Sequence, residues 1–228
     1  MKQKVLIIGT IMVFMMVAAA CNFQSPSEKI YEKLEAVVEI ESVFEEQQEP
    51  LVALEKKEQD IYSNIINLGL EKMEEITKLS DEAIKSIAKR KEYMDKEAES
   101  IKESQEKFKT ITTDMESLEK KEGKQLKDQA DELYKTMMAR YEEHDKLYAN
   151  YIEGLNDDKK LYEMFKDEDV SMEDLENQVK KINDTYEKVY ENNQTFNELT
   201  KKYNELKVDF YKEAGIKIKM NEEEETKK

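Results

Sequence analysis

The sequence predicts an all-α protein, an elongated up-and-down bundle of long helices, on three observations. Helix breakers are scarce, with 5 Gly and 2 Pro in 228 residues. Ala, Leu, Glu, Lys and Arg make up nearly half of the chain, the composition of long helices and coiled coils. After Ser27 the apolar residues recur at helical spacing, with no sustained strand alternation.

The breakers then serve as punctuation. Ser27 is a good N-cap, so the first helix is expected from about Glu28, carrying the stripe Ile30, Leu34, Val37, Phe44, Leu51, Leu54, Ile61, Ile65, Leu68, Met73, Ile76, Leu79. Phe44 and Leu51 keep phase across Pro50, which predicts one kinked helix rather than two. Leu79-Ser80-Asp81-Glu82 supplies a stop and a fresh N-cap. The second segment places Ile87, Met94, Ile101, Phe108 and Met115 seven residues apart, and ends at Lys120, Lys121 and Gly123. The third carries Leu126, Ala130, Leu133, Met137, Tyr141, His144, Tyr148, Tyr151 and Leu155, with a break at Gly154 and a cap at Asn156-Asp157-Asp158. Ser171-Met172-Glu173-Asp174 opens the fourth as a capping-box variant, continued by Leu175, Ile182, Val189, Phe196, Tyr203 and Phe210 to Gly215.

Segments of about 81–122, 124–167 and 172–214 are each ~63 Å long at 1.5 Å per residue. Near-equal lengths and short turns favour four helices, with both chain ends at the same, membrane-proximal end. Reading through Gly123 gives the alternative, three segments with one very long helix near 81–167. The helical domain thus spans 28–215, and 216–228, with Glu222 to Glu225 in a row, is an acidic tail expected to be disordered.

The first residues have another character. Lys2 and Lys4 precede Val5 to Ala20, sixteen uncharged residues that as a helix reach only ~24 Å, short of the ~30 Å hydrocarbon core. A short apolar run ending in Ala18-Ala19-Ala20 reads as a signal peptide, 1–20, rather than a membrane span. Cys21, the one cysteine, stands directly after it, and 21–27 is a short tether. The segment resembles the bacterial lipobox, Leu-(Ala/Ser/Thr)-(Gly/Ala)-Cys, with Ala18 in place of the usual Leu. That resemblance implies cleavage between Ala20 and Cys21 and a thioether-linked diacylglycerol on Cys21. Two or more acyl chains anchor stably where one is marginal.

Charge and composition exclude several functions. The net charge is −16, and losing Lys2 and Lys4 with the leader makes the rest more acidic still, so nucleic acid is not a partner. Anionic wall polymers are repelled likewise unless divalent cations bridge them. One Cys allows no internal disulfide, and one Cys with one His makes no ordinary zinc site. A di-iron bundle needs two Glu-x-x-His repeats, and Tyr141 stands three before the single His144. Asp157-Asp158 and Asp167-Glu168-Asp169 attract cations weakly but lack the twelve-residue calcium loop. No metal, cofactor or catalytic set is expected, and His144 reads as a core or rim histidine. Tyr134, Tyr141, Tyr148 and Tyr162 share one heptad phase, a candidate ligand or partner surface set against the plainer reading of rings packed in the bundle.

The stretch Glu45 to Ala83, EEQQEPLVALEKKEQDIYSNIINLGLEKMEEITKLSDEA, with the lipoprotein start and Lys89-Arg90-Lys91-Glu92, resembles the YkyA-type cell-wall-binding lipoproteins of low-GC Gram-positive bacteria. The resemblance implies a multihelical bundle on the outer face of the membrane, with no known enzyme activity and only Cys21 to carry over as a functional residue. The expected function is therefore a lipid-anchored, non-enzymatic surface protein that binds peptidoglycan, through the tyrosines or through the local basic groups Lys85, Lys89, Arg90 and Lys91. The alternative is a helical module or spacer that meets another protein between membrane and wall.

Overall fold

Helix α1 begins with a reciprocal cap two residues earlier than Ser27. Glu28 N donates to Ser25 Oγ at 3.2 Å, and Ser25 N donates to the Glu28 carboxylate at 2.8 Å. Pro26 then occupies the first helical position, where its missing N–H costs nothing. Ser25 is thus the N-cap, which leaves Ser27 free for a tertiary role. In this computed structural model, which describes residues 24–69 and 72–217, α1 spans Pro26–Leu68 and runs unbroken through Pro50.

The chain continues as α2 (Met73–Lys109), α3 (Thr112–Glu122), α4 (Lys124–Met164) and α5 (Met172–Glu213). The first boundary differs from the sequence expectation. The chain turns at Gly69, whose φ of +72° closes α1 in a conformation that side chains disfavour. Ser80 and Asp81 instead lie inside α2, Ser80 fully buried and Asp81 bonded by Lys166 at 2.8 Å. The apolar stripe hides this break because Ile65 and Ile76, about three helical turns apart, keep phase across it.

A second break falls at Thr110-Ile111. Thr110 Oγ1 and Thr112 Oγ1 bond the carbonyls of Lys107 and Lys109, side-chain competition that loosens the helix, and Lys33 Nζ holds the freed Thr110 carbonyl at 2.7 Å. Gly123 is a turn, as expected: its φ of +100° with ψ of 162° is open in practice only to glycine. The single very long helix is thereby excluded. Gly154 does not break α4. Its missing Cβ is filled by Tyr186, whose ring would stand 3.0 Å from that atom. The Ser171 cap and the Gly215 stop both form, with Asp174 N bonded to Ser171 Oγ and Ile216 N to the Tyr211 carbonyl.

The helices form two compact units. Of the described residues, the first comprises 24–40, 103–140 and 197–217; the second comprises 41–69, 72–102 and 141–196. Both are up-and-down helical bundles. In the first, contacts Ser27–Glu122 and Lys33–Asp114 fix α1 antiparallel to the α2–α3 stretch, around Ile30, Leu34, Phe108, Leu118, Leu133 and Phe210. In the second, Lys57–Glu82 and Gln48–Glu97 fix α1 against α2, and Lys181–Asp157 and Asn192–Glu143 fix α5 against α4, around Ile61, Ile65, Ile87, Met94 and Leu155. No helix among the described residues is long and apolar enough to cross a membrane.

Candidate functional site

The densest chemistry lies in the second unit, where one guanidinium ties four helices together. Arg90 of α2 is only 3% exposed. Its Nη1 donates to Glu58 of α1 at 2.5 Å and reaches Asp158 of α4 at 3.4 Å. Its Nε donates to Tyr151 Oη at 3.0 Å, and its Nη2 to Tyr186 Oη of α5 at 2.9 Å, with Glu55 at 3.6 Å. Tyr151 in turn donates to Glu55 at 2.7 Å, and Tyr186 to Asp158. The planar five-donor fork suits this task, which a lysine's point charge does not. The Tyr151 ring also lies 5.1 Å from the guanidinium carbon.

Three carboxylates face one cation here, and Glu58 and Asp158 are both buried. Burial pushes the Glu58 carboxyl up to about 7; Arg90 opposes this, while Asp158 and Glu55 add to it. Asp158 is raised too, by burial first and against the pull of Arg90. Burial works against the Arg90 charge, yet the oxygens of Tyr186, Tyr151, Glu58 and Glu55 outweigh it and hold the guanidinium well above its ordinary range. The Tyr151 and Tyr186 hydroxyls are pushed well up by burial and stay protonated. The cluster thus clamps α1, α2, α4 and α5 around two carboxyls that burial holds above their ordinary range.

A second buried pair joins Glu97 and His144, with His144 Nε2 at 3.0 Å from the carboxylate and Gln48 donating to its other oxygen at 2.8 Å. Phe44 and Phe196 pack on the imidazole, with centroids 6.2 and 5.6 Å away. His144 is a core histidine, as its place on the apolar stripe implied. Among the described residues no group of three or more His, Cys, Asp or Glu is arranged to hold a metal.

The sequence-derived candidates fall in different places. Cys21 and Ala20, with residues 1–23, lie outside the described residues, as does the acidic tail beyond Lys217. Tyr141 and Tyr162 are buried at 1% and 2% exposure, and Tyr134 and Tyr148 are half-buried. Tyr134 stacks on Phe108 and Tyr148 donates to Asp95, so these two half-buried rings also pack against their own bundle. Of the basic group near residue 90, Lys85, Lys89 and Lys91 are exposed and Arg90 is internal. Asp157 and Asp158, expected at a loop, are buried within α4; Asp157 takes bonds from Lys181 and Thr185.

These features define an all-helical protein whose buried charges are spent on joining its own helices. Residues 25–213 match the family described as "YkyA: Putative cell-wall binding lipoprotein". Over 212 residues the chain is 33% identical to "Uncharacterized lipoprotein YkyA" of Bacillus subtilis (strain 168), covering 93% of this chain and 94% of that protein. The chain belongs to the YkyA family of lipoproteins. Its fold is also similar to that of a conserved protein of unknown function from Staphylococcus aureus, with a TM-score of 0.58 at 16% identity over 83% of this chain and 97% of that one.

Proposed function

We propose that this protein is a non-enzymatic lipoprotein, held on the outer face of the cell membrane by a diacylglycerol on Cys21, whose helical body contacts peptidoglycan. The observation that carries this reading is the family match over 25–213, which begins four residues after Cys21 and takes in the whole helical body. The non-enzymatic part is supported by the state of the buried carboxylates: Glu58, Asp158 and Glu97 are already engaged by Arg90, Tyr186, Gln48 and His144. At −16, direct attraction to teichoic acid is unfavourable, whereas exposed Lys85 and Lys89 act within a Debye length of ~8 Å despite the global charge.

The test is sedimentation of the detergent-solubilised lipoprotein with purified sacculi, with and without teichoic acid and Mg²⁺. Binding that survives teichoic acid removal is expected. Binding only with teichoic acid and Mg²⁺ would replace the peptidoglycan reading with cation-bridged adhesion. Failure in every condition would remove wall binding and turn the search to protein partners. Replacing Cys21 with Ser is expected to release the chain from the membrane fraction, and retention there would refute the anchor.

A further inference from the structure

If Cys21 carries the lipid, the tether between lipid and fold is almost absent. Gln24 Nε2 already donates to Glu32, and Ser25 N to Glu28, so the chain is bound to α1 from Gln24 onward. Two residues, Asn22 and Phe23, separate Cys21 from Gln24, so the three Cα-to-Cα steps between them reach at most ~11 Å when fully extended. The headgroup layer on each side of a bilayer is itself about 5–8 Å deep. The start of α1 therefore cannot stand off from the membrane by more than the depth of one or two headgroups.

The start of α1 is also not free to swing. Ser27, 3% exposed, donates to Glu122 twice, from N to Oε2 at 3.0 Å and from Oγ to Oε1 at 3.1 Å. Glu122 is the last residue of α3, so this clamp brings the α3–α4 turn at Gly123 beside the tether. The close of α5 returns to the same end. Tyr211 donates to Glu35 at 2.9 Å and packs edge-on against Tyr31 at 4.9 Å. All three features lie within the first unit.

We propose that this end of the first unit, formed by Ser27, the turn at Gly123 and the close of α5, rests on the phospholipid headgroups, with Lys120, Lys121 and Lys124 facing them. The inference rests on the lipidation of Cys21 proposed above. Charge agrees with it. The chain carries −16, yet around the turn the exposed Lys120, Lys121 and Lys124 balance Glu119, Glu122 and Asp128, the last paired with Lys124 at 2.6 Å. An acidic protein held against an anionic surface is best placed with such an end inward.

The chain has no Trp, so one introduced Trp reports its own surroundings. Lys121→Trp and, ~25 Å along α5 from Gly215, Glu198→Trp are placed in the full lipoprotein. Intact mass establishes the diacylglycerol, and each protein is reconstituted into phosphatidylglycerol vesicles containing lipids brominated near the glycerol. The acylated Lys121→Trp chain is expected to lose Trp emission and the Glu198→Trp chain to keep it. A flexible ten-residue Gly/Ser insertion between Asn22 and Phe23, adding a coil of about 17 Å, is expected to restore emission while the protein stays on the vesicles. An acylated chain quenched at both positions or at neither, or quenching that survives the insertion, overturns the orientation and leaves the anchor standing. A chain without the diacylglycerol mass overturns the anchor and the orientation with it.

Discussion

Glu58 makes stability depend on pH in a direction opposite to that of most paired carboxylates. Its carboxyl is raised from 4.5 to about 7, with burial the largest cause. Between those values the native chain holds a proton that the unfolded chain has lost, so stability rises as pH falls through about 7 and is lost as pH rises. From about pH 8 to about pH 5.5 the Glu58 contribution to stability grows by about 2 kcal/mol. Asp158 is raised as well and adds the same sign. The other groups facing the site are Arg90 from α2, Glu55 from α1, Asp157 and Tyr151 from α4 and Tyr186 from α5. Glu58→Gln retains an oxygen for Arg90 Nη1 and removes the titration. Urea unfolding followed by far-UV circular dichroism at the two pH values is expected to show a stability gain on acidification that shrinks by about 2 kcal/mol in the variant. Exposed carboxylates with lowered values, such as Asp81 and Glu132, act the other way but cancel in the difference between the two proteins. An unchanged pH dependence in Glu58→Gln would refute the reasoning.

Four further outcomes follow from single positions. Gly154→Ala gains about 1 kcal/mol of helix propensity but drives a Cβ to 3.0 Å from the Tyr186 ring, so it lowers the thermal midpoint. In a Tyr186→Ala background the same change raises the midpoint, and equal effects in both backgrounds would dismiss the contact. Gly123→Ala forces a side chain into a glycine-only conformation and costs about 1–3 kcal/mol in denaturant unfolding, although nothing lies within 4 Å of the new Cβ. Glu97→Ala takes the shared acceptor from His144 and Gln48 and costs about 2–3 kcal/mol by the same assay, with a smaller loss for Glu97→Gln. Ser80→Ala removes a fully buried hydroxyl that has no hydrogen-bond partner among the described residues, and its unfolding midpoint is expected to hold or rise.

The helices were legible where a side chain acts on its own neighbourhood. Ser171 caps α5 through Asp174 three residues on, and Gly123 and Gly215 close helices by backbone conformation alone. The end of α1 was hidden because the apolar rows of α1 and α2 stay in phase across the short stretch between Leu68 and Met73. The break at Thr110 comes from hydroxyls competing for backbone carbonyls, a local signal that an apolar-spacing reading passes over. Gly154 misled because its reason is a ring from another helix. The candidate site has no local pattern at all, since positions 58, 90, 151, 158 and 186 meet only in the folded bundle. One trace of it did stand in the sequence. Arg90 and Arg140 are the two arginines in a chain whose other basic side chains, His144 apart, are lysines, and both are buried, at 3% and 4% exposure. At Arg90 several oxygens are held by one planar fork, a task to which the point charge of a lysine is unsuited.

The tyrosine hydroxyls leave an optical consequence. Tyr148, Tyr151, Tyr186 and Tyr211 each donate to a carboxylate, from Asp95, Glu55, Asp158 and Glu35. A phenol becomes a far stronger acid in its excited state, so an acceptor carboxylate drains its emission. With no Trp to mask them, these four of the 12 Tyr are expected to emit weakly in the native protein and to brighten as the bonds open, which tyrosine emission across a urea titration checks. Unfolding in this chain is thus written in its own light, without a dye or an introduced reporter.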